Sequence, residues 1–468
     1  MISTSTTSAR PRAAWISSRT TAWIIAVAFV VMAARLALFL NRYTVNIIYW
    51  DQWDFLNGLF DGADAWTLFR WQHGPQRQGI GNLILAVLYP VTGWNGRADA
   101  AASAVALCLA AVGALWLVKR VCGSLRPWDG VVPLIFLTTT NAETYVIAPN
   151  IAHGPLSALL LTGYALALTI SSHGARCVAL VILNFLCVST GFTWLLGLAT
   201  PVMLLLLACG PQLTARERTM YAASIAASLA SFALFLDGFV PQTATDCFQF
   251  PHVRPWEYVP YAGFVFARPF GLHAGGDTTR LLQGTGAFIA MAGFVGYAAF
   301  RLIRVRGDSV FWAVITSLSG FALLFASATA VGRVCLGLDS ANASRYIPYM
   351  MPSLLAAYLV IRSSASWLIR SSASWSPVAY VLLPVFLVAC IAKERDKLSA
   401  NEATDYLKYK QRWSECYLSM HDIYACDAWA GHPVYPWPEA TRLQQKLDWL
   451  EARRYSLFQN SDRTSDSR

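Results

Sequence analysis

The chain has 468 residues, of which 56% are hydrophobic and only 13% charged. Soluble domains carry roughly 25% charged residues, so a soluble enzyme, a disordered chain and a disulfide-rich secreted domain are all excluded, and a multi-pass membrane protein is left. The net charge of +10 lies mostly in arginines strung between apolar runs, which is the pattern that orients helices in a bilayer rather than one that meets nucleic acid.

In chain order, residues 1–20 are rich in Ser and Thr, carry Arg10, Arg12 and Arg19, and read as a cytoplasmic tail. A bilayer core of about 30 Å takes roughly 20 apolar residues per helix, and Thr21–Leu40 is the first such run. Its length and the interrupting Arg35 favour an uncleaved anchor over a signal peptide. Asn41–Arg97 then lies outside, with Ile80–Val91 as a helix at the outer interface. Further spans follow at Ala98–Val118, Val131–Ala148, Pro155–Ile170, Val178–Thr190, Trp194–Cys209, Tyr221–Leu236, Leu282–Leu302, Val310–Val331, Ile347–Ile361 and Pro377–Ala392. The fold expected is an all-α polytopic membrane protein of about eleven transmembrane helices.

The short loops that this register places in the cytoplasm are all basic. They hold Lys119, Arg120 and Arg126, then Arg176, then Arg216 and Arg218, then Arg301, Arg304 and Arg306, then Arg362 and Arg370. That bias supports the orientation independently of hydropathy. The transmembrane domain is therefore 21–392, with outer segments at 41–97 and 237–280 and an outer C-terminal segment at 393–468 that reads as a small folded appendage. Of the ten cysteines, Cys108, Cys187, Cys209 and Cys390 sit in apolar runs and act as small hydrophobes. Cys416 and Cys426 lie in the polar outer tail, where an oxidising compartment favours a short disulfide.

Chemistry concentrates outside. Tyr49-Trp50-Asp51-Gln52-Trp53-Asp54 follows the first span and puts two carboxylates on one side of a helical turn at the membrane surface. A carboxylate beside a low-dielectric phase has a raised pKa, which suits a general base; a plain capping role for both, with the tryptophans as an aromatic belt, is the alternative. His73 and Arg77 follow in Trp71-Gln72-His73-Gly74-Pro75-Gln76-Arg77-Gln78. Arg42, Arg77, Arg254, Arg268, Arg333 and Arg345 stand on the outer side against the basic-inside bias. Pairing with phosphate gives such arginines a reason, although Arg345 pairing with a protein carboxylate such as Asp339 stays open. Glu143, with Asn141, Asn150 and His153 nearby, falls well into an apolar run, where a carboxylate usually lines a wet cavity. There is no HExxH, no metal-spaced Cys/His pair, no Walker loop, no Rossmann fingerprint and no GxSxG elbow. No cofactor is therefore assigned, and a divalent cation shared by Asp51 and Asp54 is left open.

Asp51-Gln52-Trp53, the His73…Arg77 stretch, Ser344-Arg345-Tyr346 and the cysteine pair in the tail together resemble the C-type (GT-C) membrane glycosyltransferases, and most closely their bacterial members. Those carry Asp-x-Trp, then His-Asn-Glu-His-Arg, then a late Ser-Arg-Tyr. Here the second element keeps only its ends, with Gly74, Pro75 and Gln76 between them, so the roles of the missing Glu and His have no bearer. The resemblance implies transfer of a sugar from a polyprenyl-phosphate carrier to a lipid, glycan or protein acceptor, with inversion, on the periplasmic face of a bacterial inner membrane. It also implies Asp51, with Asp54 behind it, as base or acceptor-positioning carboxylate and His73 as assistant. Arg77, Arg345 and Tyr346, with Glu143, His153 and Arg333, would handle the phosphate and substrate, and membrane lipids would surround the donor. A lipid-linked glycan flippase and a glycan polymerase or ligase are the rival readings; no internal duplication of the kind transporters show is present.

Overall fold

The computed structural model describes residues 17–209, 213–241, 247–304, 309–367 and 376–463; the expected tail up to residue 16, Arg306 and Arg370 lie outside them. The protein is a mostly helical membrane protein, with one two-stranded antiparallel ribbon, Gln72–His73 with Gln76–Arg77, among the described residues. Among the described residues six helices are long and apolar enough to cross a membrane: Ser18–Tyr43, Gly96–Cys122, Gly191–Ala208, Ala215–Leu236, Thr278–Arg304 and Ser309–Leu336. Only 11% of the apolar window of Thr278–Arg304 is buried, and its outward side chains, including Leu282, Ile289, Phe300 and Ile303, are apolar. A surface of that composition is at equilibrium in hydrocarbon, not water.

Helix contacts rely on small residues, because lipid gives helices no hydrophobic reason to associate. Gly96–Cys122 packs on Pro155–Leu168 with Ala106, Ala110 and Ala114 buried along it at four-residue spacing. The short helix Tyr258–Ala267, which the sequence reading left as part of an outer loop, packs on Thr278–Arg304. The two touch backbone to backbone: a Cβ on Gly263 would lie 1.7 Å from the Gly284 carbonyl oxygen.

Ten of the eleven expected segments each coincide with one continuous helix, and one does not. Val131–Ala148 is broken: a helix covers Val131–Phe136, the chain opens out, and a π-helical turn covers Glu143–Ile147. The local cause is a run of Thr138, Thr139, Thr140 and Asn141. Thr138 Oγ1 accepts from Thr140 N at 3.2 Å, so a side chain takes a donor that the helix would have used. Backbone freed at membrane depth must find partners within the protein, and it finds them in the C-terminal segment. Ser399 Oγ donates to Thr140 O at 2.7 Å. Lys410 Nζ donates to Val146 O. Glu394 Oε2 pairs with Arg35 of the first helix at 2.5 Å, and the same guanidinium donates to Thr139 Oγ1 at 2.9 Å.

The described part of the C-terminal segment, residues 393–463, thus packs as a wall against the helices. Arg268 and Asp396 form an ion pair at 2.7 Å with side chains only 1% and 2% exposed, and Arg268 also donates to Asn342 O and to Ser399 Oγ. Arg362, expected in a cytoplasmic loop, instead lies within the helix Ile347–Trp367, fully buried and 3.2 Å from Asp129. Charge near a helix end looks like a loop in sequence, and here a buried counter-ion holds it inside.

Candidate active site

Asp51 is placed by a strained turn. Trp50 has φ +55, a left-handed conformation unusual for a large side chain, and costs of order 1–3 kcal/mol accompany such residues. Its N–H donates to Val434 O at 2.7 Å, which ties the turn to the C-terminal segment. Gln52 and Trp53 are buried anchors: Gln52 Oε1 accepts from Tyr49 N at 3.1 Å and its amide donates to Tyr89 Oη at 3.2 Å. Asp51 precedes the one-turn helix Gln52–Phe55, yet its side chain makes no capping bond. Among the described residues its carboxylate has no hydrogen-bond or ion-pair partner, and it lies within the field of Arg345.

Asp54 differs. Both its oxygens accept from Tyr435 Oη, at 2.8 and 2.9 Å, and burial raises its pKa against the pull of Tyr435 and His73. His73 sits edge-on to Phe55 at 4.7 Å and 5.8 Å from the ring of His153. The amides of Gln76 and Gln78 both face His153 Nε2, which therefore accepts. Burial first, then the neighbouring His73, Arg345 and Arg333, hold His153 well below its ordinary pKa, which favours its neutral imidazole.

Arg345 is fixed by Glu143, not by Asp339. Its Nη1 lies 3.1 Å from Glu143 Oε1, and its own backbone N–H donates to Glu143 Oε2 at 3.1 Å. Ser344 completes the clasp, accepting from Glu143 N at 2.9 Å. The break in the Val131–Ile147 segment makes this contact, because it turns Glu143 toward the Ser344–Tyr346 turn. Glu143 raises the Arg345 pKa further above its usual value. The Arg345 side chain is 42% accessible, so its guanidinium remains open while Glu143 braces it. Its guanidinium lies over the ring of Tyr346 at 5.6 Å. Arg333, half-buried at the end of Ser309–Arg333, acts on His153 and Tyr261 and has no carboxylate partner among the described residues.

Asp51, Asp54, His73, His153, Glu143, Arg345 and Arg333 thus share one electrostatic neighbourhood. Arg77 does not join it. Four of its N–H bonds go to backbone carbonyls, those of Phe235 (two), Arg70 and Asp237, which leaves it little capacity for phosphate. The remaining outer arginines also have local partners: Arg254 pairs with Glu257 at 3.0 Å and Arg42 lies over Tyr43.

The sequence reading missed the contribution of the C-terminal helix Lys397–Met420. Ser399, Glu402, Tyr406, Lys410, Trp413 and Tyr417 recur every three or four residues along it, a helical stripe whose polar members face the site. Ser344 Oγ donates to Glu402 Oε2 at 3.2 Å. Burial, then the charge of Glu143, pushes Glu402 up from 4.5 to about 7. A carboxyl whose folded pKa exceeds its unfolded value stabilises the fold below the unfolded pKa, and that contribution is lost as pH rises through the folded one. The protein is therefore expected to lose on the order of 2 kcal/mol between about pH 5 and pH 8, and Glu402→Gln to flatten that part of the profile when Tm is followed against pH. Cys416 and Cys426 are joined in a disulfide, as are Cys247 and Cys335, which lie 88 residues apart.

No group of three or more His, Cys, Asp and Glu side chains suited to a metal ion occurs among the described residues. A cation on Asp51 and Asp54 would thus have no third side-chain ligand grouped with them, and Tyr435 already holds Asp54. What the cluster defines is a class of site: a free carboxylate and guanidinium groups in one electrostatic neighbourhood of a helical membrane protein. Among known proteins, no family model, no curated protein and no solved structure matches this chain.

Proposed function

We propose that the protein is a membrane glycosyltransferase of the C type, moving a sugar from a polyprenyl-phosphate donor to a lipid, glycan or protein acceptor on the periplasmic face of a bacterial inner membrane. One observation carries the reading. The unpartnered carboxylate of Asp51 lies in the field of Arg345, whose guanidinium is braced by Glu143 and yet open, with the unpaired Arg333 in the same neighbourhood. The acceptor hydroxyl oxygen attacks the anomeric carbon as Asp51 takes its proton. The carbon–oxygen bond to phosphate breaks, its electron pair leaves with the polyprenyl phosphate, and Arg345 and Arg333 meet the growing charge. His73 and Asp54 set the field around Asp51, and neutral His153 offers an N–H rather than a charge. Two disulfides, one in the C-terminal segment and one joining segments read as outer, support an oxidising side for this face.

The test is transfer of radiolabelled sugar from synthetic polyprenyl-phosphate donors by the purified protein. Arg345→Ala is expected to lower apparent donor affinity by roughly 10–100-fold, the worth of a charge-assisted pair, with the acceptor KM little changed. Absence of any transfer by the wild type, or equal effects on donor and acceptor, would overturn the assignment. The broken Val131–Ile147 segment favours a second reading, a lipid-linked glycan flippase, because interrupted helices lining polar sites are common in transporters. The same assay separates the two, since a flippase moves the intact carrier without breaking the sugar–phosphate bond.

A further inference from the structure

The hairpin of Gln72–His73 and Gln76–Arg77 has two sides. Gln72 pairs with Arg77 and His73 with Gln76 across it, and neighbouring residues of a strand face opposite ways. His73 and Gln76 face His153 and the Asp51 neighbourhood. Gln72 and Arg77 face the other way, into an open-sided cleft of about 420 Å³ lined also by Trp66, Trp71, Arg70 and Gly238. That volume lies within the roughly 300–1,000 Å³ of small-molecule sites.

The walls of this cleft have a definite chemistry. Trp66 is 51% exposed, and Arg70 lies 5.7 Å over its ring. Among the described residues only the Nη2 end of Arg70 is engaged, on the backbone and carboxylate of Asp237, which leaves further N–H donors on a residue that lines the cleft. Gly238 has φ +61, and a Cβ there would lie 3.2 Å from Arg70 Nη2, so a larger residue would crowd the guanidinium. The floor is rigid, because Arg77 locks the end of Ala215–Leu236 to the hairpin and Gln72 exchanges hydrogen bonds with Val240 at 2.6 and 3.0 Å. Indoles beside a guanidinium whose charge Asp237 balances, with no carboxylate lining the cleft among the described residues, suit an uncharged ring that has one apolar face and a polar edge. The C–H face of a pyranose packs on the negative face of an indole, and its hydroxyls accept from Arg70.

We propose that this cleft is a sugar-binding subsite that holds a ring of the glycan acceptor on the far side of the hairpin from Asp51. The assignment of the sugar as acceptor rests on the transfer reading above; sugar binding itself does not. The full-length protein in phosphatidylcholine nanodiscs would be examined by saturation-transfer-difference NMR with glucose, galactose, mannose and their 1,4- and 1,6-linked disaccharides. At least one of these is expected to bind, Trp66→Ala to weaken it at least 10-fold, Arg70→Gln to weaken it several-fold, and Asp51→Asn to leave it unchanged. No binding by any of these sugars, or equal binding by Trp66→Ala, would overturn the subsite. So would loss of sugar binding on adding phosphatidylglycerol, which would identify the cleft as a lipid-headgroup site. Binding that follows this pattern in a protein without transfer activity would sink the enzyme reading and leave the subsite standing.

Discussion

Replacing Asp51 with Asn is expected to lower sugar transfer by roughly 10²–10⁴-fold, the usual worth of a positioned general base, while thermal stability stays within about 0.5 kcal/mol. The stability half follows from the structure: the Asp51 carboxylate makes no hydrogen bond or ion pair among the described residues, so an amide of the same shape breaks nothing. Gln52 and Trp53, which hold the turn, are untouched. Asp54→Asn should behave differently, because it alters a carboxylate whose two oxygens share the Tyr435 hydroxyl and so loosens the contact between residues 41–97 and the C-terminal wall. Initial rates for both variants, beside their melting curves, separate a chemical role from a positioning one. Wild-type rates in Asp51→Asn would remove it from the reaction.

Arg268→Ala is expected to destabilise the protein by about 3–5 kcal/mol, the cost of stranding one member of a buried ion pair. Asp396 would keep Ser399 Oγ at 2.8 Å but lose its only buried guanidinium among the described residues. Transfer should fall as well, although Arg268 touches neither Asp51 nor Arg345, because Asp396 and Ser399 anchor the helix that carries Glu402. A melting curve in detergent gives the first effect. A double variant, Arg268→Met with Asp396→Leu, should recover much of the stability by removing both charges together; failure to recover it would mean that Ser399 and Asn342, not the ion pair, supply the anchoring.

Much of the helical layout was legible, because apolar runs and basic loops are local signals. Ile80–Val91 and the long runs from Ala98 onward needed no partner to be recognised. The broken segment was not legible. Thr138 to Asn141 are polar enough to interrupt a helix, yet they also fit within an apolar run, and what settles the matter is Ser399, Glu394 and Lys410, more than 250 residues later. At the candidate site, short motifs point to Asp51 and Arg345. Glu402 and Tyr435 belong to a segment whose inward stripe was written in the sequence but read as a separate unit. Arg77 shows the opposite failure: an outer arginine suggests a phosphate, and here backbone carbonyls consume it. The disulfide between Cys247 and Cys335 bridges too long a stretch for spacing to reveal it.

The dependence of that broken segment on distant side chains has a bearing on biosynthesis. Residues 131–147 leave the ribosome long before Ser399 and Lys410 are made, so the carbonyls of Thr140 and Val146 gain these partners only once the C-terminal segment has been synthesised. Completion of the broken segment is thus a late event in folding, timed by synthesis of the helix Lys397–Met420, and a nascent chain stalled before Lys397 should be a preferred target of membrane quality-control proteases.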